Sequence, residues 1–154
     1  MSDTQLTEPI SRLSPQQYNA ILQKMTLTGI HVTNVTCDAD LSKKTGALNA
    51  IFNMASDGFE KRDHVASVFS NATFLGMAAD TSVQVIGIKA RYSVLLSFDE
   101  PVTEEFLEIF SKWNVRLIVW PFFRELVHSM VPRMGLPPLI APLSFGPEPS
   151  GTSD

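Results

Sequence analysis

Three side chains capable of acid–base work fall within one short stretch: Glu125, His128 and Ser129. On a helix, residues three and four apart are neighbours, so Glu125 can reach either of the others. A carboxylate beside an imidazole or a hydroxyl is the raw material of a general base or an activated nucleophile. The spacing suits that chemistry poorly, because adjacent residues on a helix point about 100° apart and the imidazole and hydroxyl diverge. The trio reads as a solvated polar face. Metal chemistry finds no better support. His31, His64, His128 and Cys37 lack ligand spacings of the C-x2-C or H-x3-H kind, and His31 and Cys37 stand too far apart on one strand to chelate directly. Gly58, Gly76 and Gly87 are isolated, so no phosphate-cradling loop is present. The expectation is a protein that is not an enzyme and uses no metal or cofactor.

The segment that carries this trio is notable for its apolar surface. Residues 116–145 read RLIVWPFFRELVHSMVPRMGLPPLIAPLSF. Proline disfavours helix at the residue before it and suits a first helical position, so Trp120-Pro121 predicts a helix starting at 121. Phe122, Phe123, Leu126, Val127, Met130, Val131 and Met134 then cover about half the circumference, wider than the ~100° stripe of an ordinary surface helix. Such an arc needs two apolar neighbours, one the sheet and the other expected from a second subunit. Arg124 and Glu125 are expected to hold a loop carbonyl or the chain before the helix. Pro132 should loosen the last turn, Gly135 suits the position after the helix end, and Pro137-Pro138 forbid continuation. The segment from Leu139 to Phe145 is expected to be extended. A preceding helix is predicted from an N-cap at Thr103, with Phe106, Leu107, Ile109, Phe110 and Trp113 on one side.

Upstream the signals are of strands. Ser14-Pro15-Gln16-Gln17 is a capping signature for a short helix over 15–24, with Tyr18, Ile21, Leu22 and Met25 as its apolar stripe. Residues 26–38 are rich in β-branched types, and a phase slip at Thr33-Asn34 predicts a bulge. A loop ends at Gly46, a weaker strand follows over 47–55, Ser56-Asp57-Gly58 reads as a turn, and another strand lies within 64–78. The clearest strand is 83–98: Ile86, Ile88, Ala90, Tyr92, Val94, Leu96 and Phe98 alternate with Gly87, Lys89, Arg91, Ser93 and Ser97. The fold class is therefore α+β, a four-stranded antiparallel sheet with two C-terminal helices packed against it and a short N-terminal helix. Residues 14–145 are expected to form one domain, between a flexible arm over 1–13 and a disordered tail over 146–154.

Composition narrows the partners. At 154 residues, 44% hydrophobic and 18% charged, the chain should fold around a real core. A net charge of −4 leaves no basic footprint for nucleic acid. A single cysteine, Cys37, excludes an internal disulfide and fits a reducing compartment. The first 24 residues are polar and broken by Pro9 and Pro15, unlike a signal peptide. The longest uncharged apolar run, 117–123, falls far below the roughly 20 residues of a membrane span. A cytoplasmic protein is expected.

The order of residues at 120–145 resembles the C-terminal signature of the SecB family of export chaperones. The matching positions are Trp120, Pro121, Phe122, Arg124, Glu125, Ser129, Val131, Arg133, Pro137 or Pro138, Leu139, Pro142 and Phe145. They cover about one sixth of the chain, with weaker similarity in the first strand, IHVTNVTCD. The resemblance implies a SecB-like sheet with two C-terminal helices, assembly as a dimer of dimers, and nucleotide-independent holding of unfolded chains in long grooves. It implies an ATP-independent holdase serving protein export through the SecA motor, or a dedicated client such as an antitoxin. The expected client surface is Trp120, Phe122, Met130, Met134, Leu136, Leu139, Ile140 and Leu143. Of the family's acidic motor-docking positions Asp38 matches one, while Asn34 stands at another and the long strand offers Lys89 and Arg91. The N-terminal helix is not a usual SecB feature. Two other readings of the same apolar surface are a non-chaperone interaction domain and a small-ligand binder using the groove between sheet and helices.

Overall fold

The structure, a computed structural model, describes residues 13–139 and 141. The expected tail over 146–154, and the expected arm except for Leu13, lie outside those residues. The elements run α1 (Pro15–Lys24), β1 (Thr26–Ala39), a 3-10 turn (Leu41–Lys43), β2 (Leu48–Arg62), β3 (Val65–Ala78), β4 (Gln84–Ser97) and α2 (Glu104–Arg133). The four strands form one antiparallel sheet in the order β1-β4-β3-β2. Since β1 and β2 occupy opposite edges, the chain between them must cross over the sheet. It does so through residues 40–47. There the Asp40 carboxylate caps the 3-10 turn by accepting from Ser42 N, and Asp40 N donates to the Val85 carbonyl.

Strand β4 is central, and its alternation is the backbone of the core. Ile86, Ile88, Ala90, Tyr92, Val94 and Leu96 are all buried beneath α2, together with Val68, Ala72 and Phe74 of β3. The bulge expected near Thr33-Asn34 is present as a register shift between Val32 and Asn34. The turn expected at Ser56-Asp57-Gly58 is instead a bulge inside β2, which runs on to Arg62. Gly58 takes φ +82, a conformation glycine adopts without a Cβ clash, so the extra residue is absorbed without ending the strand. Asp57 is anchored there by Arg91, whose Nε donates to its Oδ2 at 2.8 Å and whose guanidinium lies 4.1 Å over the Phe69 ring. The chain turns later, where Asp63 takes φ +46.

The two expected C-terminal helices are one continuous helix. Pro121 sits inside it and leaves the Leu117 carbonyl without its helical donor. Both Pro121 and Leu117 are exposed, so water can satisfy that carbonyl. Val119, Trp120 and Phe123 are all buried around the proline. At roughly 1.5–3 kcal/mol per buried large apolar side chain, they outweigh a proline cost of about 3 kcal/mol.

The buried positions of α2 recur every fourth residue: Leu107, Ser111, Val115, Val119, Phe123, Val127 and Val131. Four residues overshoot one turn by about 40°, so this stripe rotates along the helix and its two ends bury different faces. At the N-terminal end Phe106 turns toward α1, where Tyr18 stacks on it at 4.9 Å and the Tyr18 hydroxyl bonds the Asn114 side chain. Trp113, expected on the apolar side with Phe106 and Phe110, is 66% exposed because the stripe has rotated past it. The caps follow the expected chemistry. Ser14 and Gln17 form a reciprocal capping box, and Thr103 Oγ1 accepts from Phe106 N.

Candidate functional site

The helix ends in a Schellman motif. Gly135 takes φ +89, its N–H donates to the Pro132 carbonyl, and Leu136 N–H donates to the Val131 carbonyl. This reversal sends residues 136–139 and 141 back along α2 as a strap. Two side chains of α2 clasp it: Arg124 Nε donates to the Ala141 carbonyl at 3.1 Å, and His128 Nδ1–H to the Leu139 carbonyl at 3.1 Å. The role expected for Arg124 as a holder of a loop carbonyl is thus observed.

Between the strap and the crossover lies an open apolar groove of about 250 Å³. Phe74, Gly76 and Ile86 of the sheet form its floor, with Ala47 and Leu48 on one wall and Leu136, Pro137, Pro138 and Leu139 on the other. Val131 closes the helix side, and among the described residues Lys44 is the only charged side chain that lines it. Such a site offers apolar area with few directional groups. It is suited to side chains of varied shape.

The expected client residues separate into distinct places. Leu136 and Leu139 line this groove, but Leu136 is only 6% exposed and belongs to the core beneath it. Met130 and Met134 are half-buried and packed against the core. Phe122 is 46% exposed on another flank of α2. Trp120 is only 2% exposed, its ring edge-on to Phe52 at 5.3 Å, so it belongs to this chain's own interior. Ile140 and Leu143 lie outside the described residues. Asp38 is exposed on the outer sheet face, its carboxylate above Gly87. Sequence reasoning missed Phe74, Ile86 and Leu48 as groove residues. The signal available was their inward parity, shared with the core.

The polar trio is split by the helix. His128 turns to the strap, whereas Glu125 and Ser129 face a second groove of about 280 Å³ between α2 and β1. Ile30, Val32, Tyr92, Phe122 and Leu126 complete that groove. Burial pushes the Tyr92 phenol up to about 12, with the nearby Glu125 charge adding to the effect. Among the described residues no group of His, Cys, Asp and Glu is arranged to hold a metal ion, and no helix is long and apolar enough to cross a membrane.

A four-stranded antiparallel sheet in this order, a crossover connection and a long helix turned back over an apolar groove define a SecB-like α+β fold, and the chain has it. Among solved structures it is similar to a SecB-like chaperone of Mycobacterium tuberculosis in complex with a ChAD peptide from the HigA1 antitoxin. That match has a TM-score of 0.69 at 18% identity and covers 86% of this chain and 99% of the other. A protein of unknown function from Streptococcus agalactiae matches with a TM-score of 0.46 at 13% identity, covering 77% of this chain and 97% of that one. No protein-family model and no curated protein matches the sequence.

Proposed function

We propose that this protein is an ATP-independent holdase that binds unfolded or slowly folding polypeptides, works in the cytoplasm and catalyses no reaction. The observation that carries the reading is the open apolar groove between crossover and strap, set in a SecB-like fold. An extended client gains about 25 cal/mol for each Å² of apolar surface it buries, so many shallow contacts sum to useful affinity without sequence-specific bonds. The antitoxin peptide bound to the mycobacterial protein supports a dedicated client of that kind. Export through a SecA-type motor draws less support, since Asp38 is accompanied on the outer face by Lys89 and Arg91.

The client surface is proposed to centre on Leu139, with the 6% exposed Leu136 contributing only to the base of the groove and the half-buried Met130 and Met134 as further contributors; Ile140 and Leu143 are proposed as client residues as well. Phe122 is proposed to serve from the other flank. The assembly is proposed to be a dimer of dimers. Trp113 and Leu117, one turn apart on the outer side of α2 and 66% and 67% exposed, support a helix-mediated subunit contact. Mass in solution tests the assembly, with Trp113→Ser expected to lower it. The function is tested by aggregation of several unrelated denatured proteins without nucleotide. Suppression is expected from the wild type and a weaker effect from Leu139→Asp. No suppression by a several-fold molar excess of wild type overturns the holdase, and selective binding of one folded partner indicates an interaction domain instead.

A further inference from the structure

The two edges of the sheet are built differently. Strands β1 and β2 end it, and among the described residues neither has a strand on its far side. An open edge presents unpaired main-chain N–H and C=O groups, and edges are commonly guarded by bulges, charge or proline. Strand β1 is guarded: its register slips between Leu27 and Gly29 and again between Val32 and Asn34. Strand β2 lacks such guards over its first part. From Leu48 to Ser56 it pairs with β3 without a slip, and the chain from Thr45 to Ser56 carries no charge and no proline. In the middle of that run Ile51 is 49% exposed.

The same run is a chemical palindrome about Ile51. Ala50 and Phe52 stand next to it, Asn49 and Asn53 one place further out, and Leu48 and Met54 beyond them. Alternation puts Asn49, Ile51 and Asn53 on the outer face, and Leu48, Ala50, Phe52 and Met54 on the inner face with the core. When two copies of a strand pair antiparallel about a two-fold axis, each residue before the centre faces its counterpart after it. Centred on Ile51, such pairing sets Asn49 against Asn53, Leu48 against Met54 and Ala50 against Phe52. Amide meets amide on the outer face, and apolar meets apolar on the inner one. Centring on Ala50 or Phe52 would set an asparagine against Ile51, and centring on Asn53 would run the pairing into the bulge after Ser56.

We infer that β2 is a self-pairing edge: two copies of this chain join β2 to β2 about a two-fold axis through Ile51, merging their four-stranded sheets into one. The contact is isologous, so it closes on a dimer and leaves β1 as the outer edge on both sides. The inference rests on the dimer-of-dimers reading and deepens it by naming a second contact, Trp113 and Leu117 of α2 supplying the other. The pairing also adds to a site. Leu48 and Ala50 line the apolar groove beside the strap. The partner's Met54 and the partner's Phe52 come to stand next to them, so each copy extends the wall of the other's groove.

The test uses the full chain, with mass in solution and cross-linking as readouts. The wild type should run as a tetramer. Ile51→Lys should halve that mass, because it sets two lysines face to face on the axis, and adding Trp113→Ser should leave monomers. Circular dichroism should show the Ile51→Lys fold intact, since the side chain lies on the exposed outer face. Register is tested in a Cys37→Ser background, which removes the chain's only cysteine. Opposed Cβ atoms lie about 4.5–5.5 Å apart, close to disulfide range, whereas the two copies of Asn49 would stand roughly 13 Å apart along the seam. Under a mild oxidant Ile51→Cys should therefore give a covalent dimer. Asn49→Cys and Asn53→Cys should each stay uncoupled alone and cross-link once mixed and allowed to exchange subunits. If Ile51→Lys keeps the tetramer mass, or Ile51→Cys does not cross-link, the β2 contact is overturned and the dimer of dimers survives through other surfaces. Cross-linking of Asn49→Cys with itself would mean another register and overturn the inference. A wild type that runs as a monomer sinks both readings.

Discussion

Replacing Pro121 with alanine tests the continuity of α2, on which both grooves depend. Alanine restores an N–H that can donate to the Leu117 carbonyl and removes the ring from the preceding turn. A proline in a helix interior costs about 3 kcal/mol relative to alanine. Against that, alanine frees the unfolded chain and returns roughly 0.4–1 kcal/mol of lost rigidity. The site is exposed, so no packing is sacrificed. The expected net gain is about 2 kcal/mol. For a chain of 154 residues this corresponds to a rise of about 4–8 °C in melting temperature. The assay is urea unfolding followed by circular dichroism at fixed protein concentration, because assembly would make stability depend on concentration. The midpoint should rise with an unchanged slope. A variant as stable as the wild type, or less stable, refutes the reasoning: Pro121 would then begin a second helix, where proline is favourable.

Trp120→Ala should lose about 3–5 kcal/mol of stability, as expected for emptying a packed aromatic site, and loss of client binding without loss of stability would restore Trp120 to the surface. Gly135→Ala should cost about 1–2 kcal/mol, because the residue needs a left-handed conformation and its new Cβ would lie 2.9 Å from Leu41 Cδ1; an unaffected unfolding midpoint would contradict the strap geometry. Tyr18 and Tyr92 both have phenols pushed from 10.0 up to about 12, by burial first and at Tyr92 also by Glu125. The folded state therefore keeps protons that the unfolded chain gives up, so this part of the stability is intact below pH 10 and is lost as pH rises from there through about 12. Phenolate absorbance should appear only with unfolding, and free titration of both tyrosines in the folded protein at pH 10 would count against it.

Several elements were legible because their cause is local. Ser14 with Gln17, and Thr103 ahead of two glutamates, cap helices by bonds within one turn of chain. The alternation through Ile86, Tyr92 and Leu96 needs only one buried face to be read correctly. Ser56-Asp57-Gly58 misled because glycine in a left-handed conformation serves a turn and a bulge equally well. What separated them was the pairing of Phe59 to Arg62 with β3, which carries the strand on past the glycine. Trp120 looked like surface for a similar reason: the ring that encloses it, Phe52, lies far away in sequence.

By itself, the sequence determined where chain direction and hydrogen bonding change, because caps, glycines and period-two alternation act over a few residues. It also determined that the last third holds more apolar side chains than a single helix stripe accommodates. Only the tertiary structure decided which of those side chains face water. The buried stripe of α2 advances by four residues and rotates, so Trp113 and Phe122 emerge while Trp120 is enclosed. The placement of Glu125 and His128 on opposite flanks, one toward β1 and one toward the strap, likewise depends on what packs beside the helix, and no local pattern encodes that.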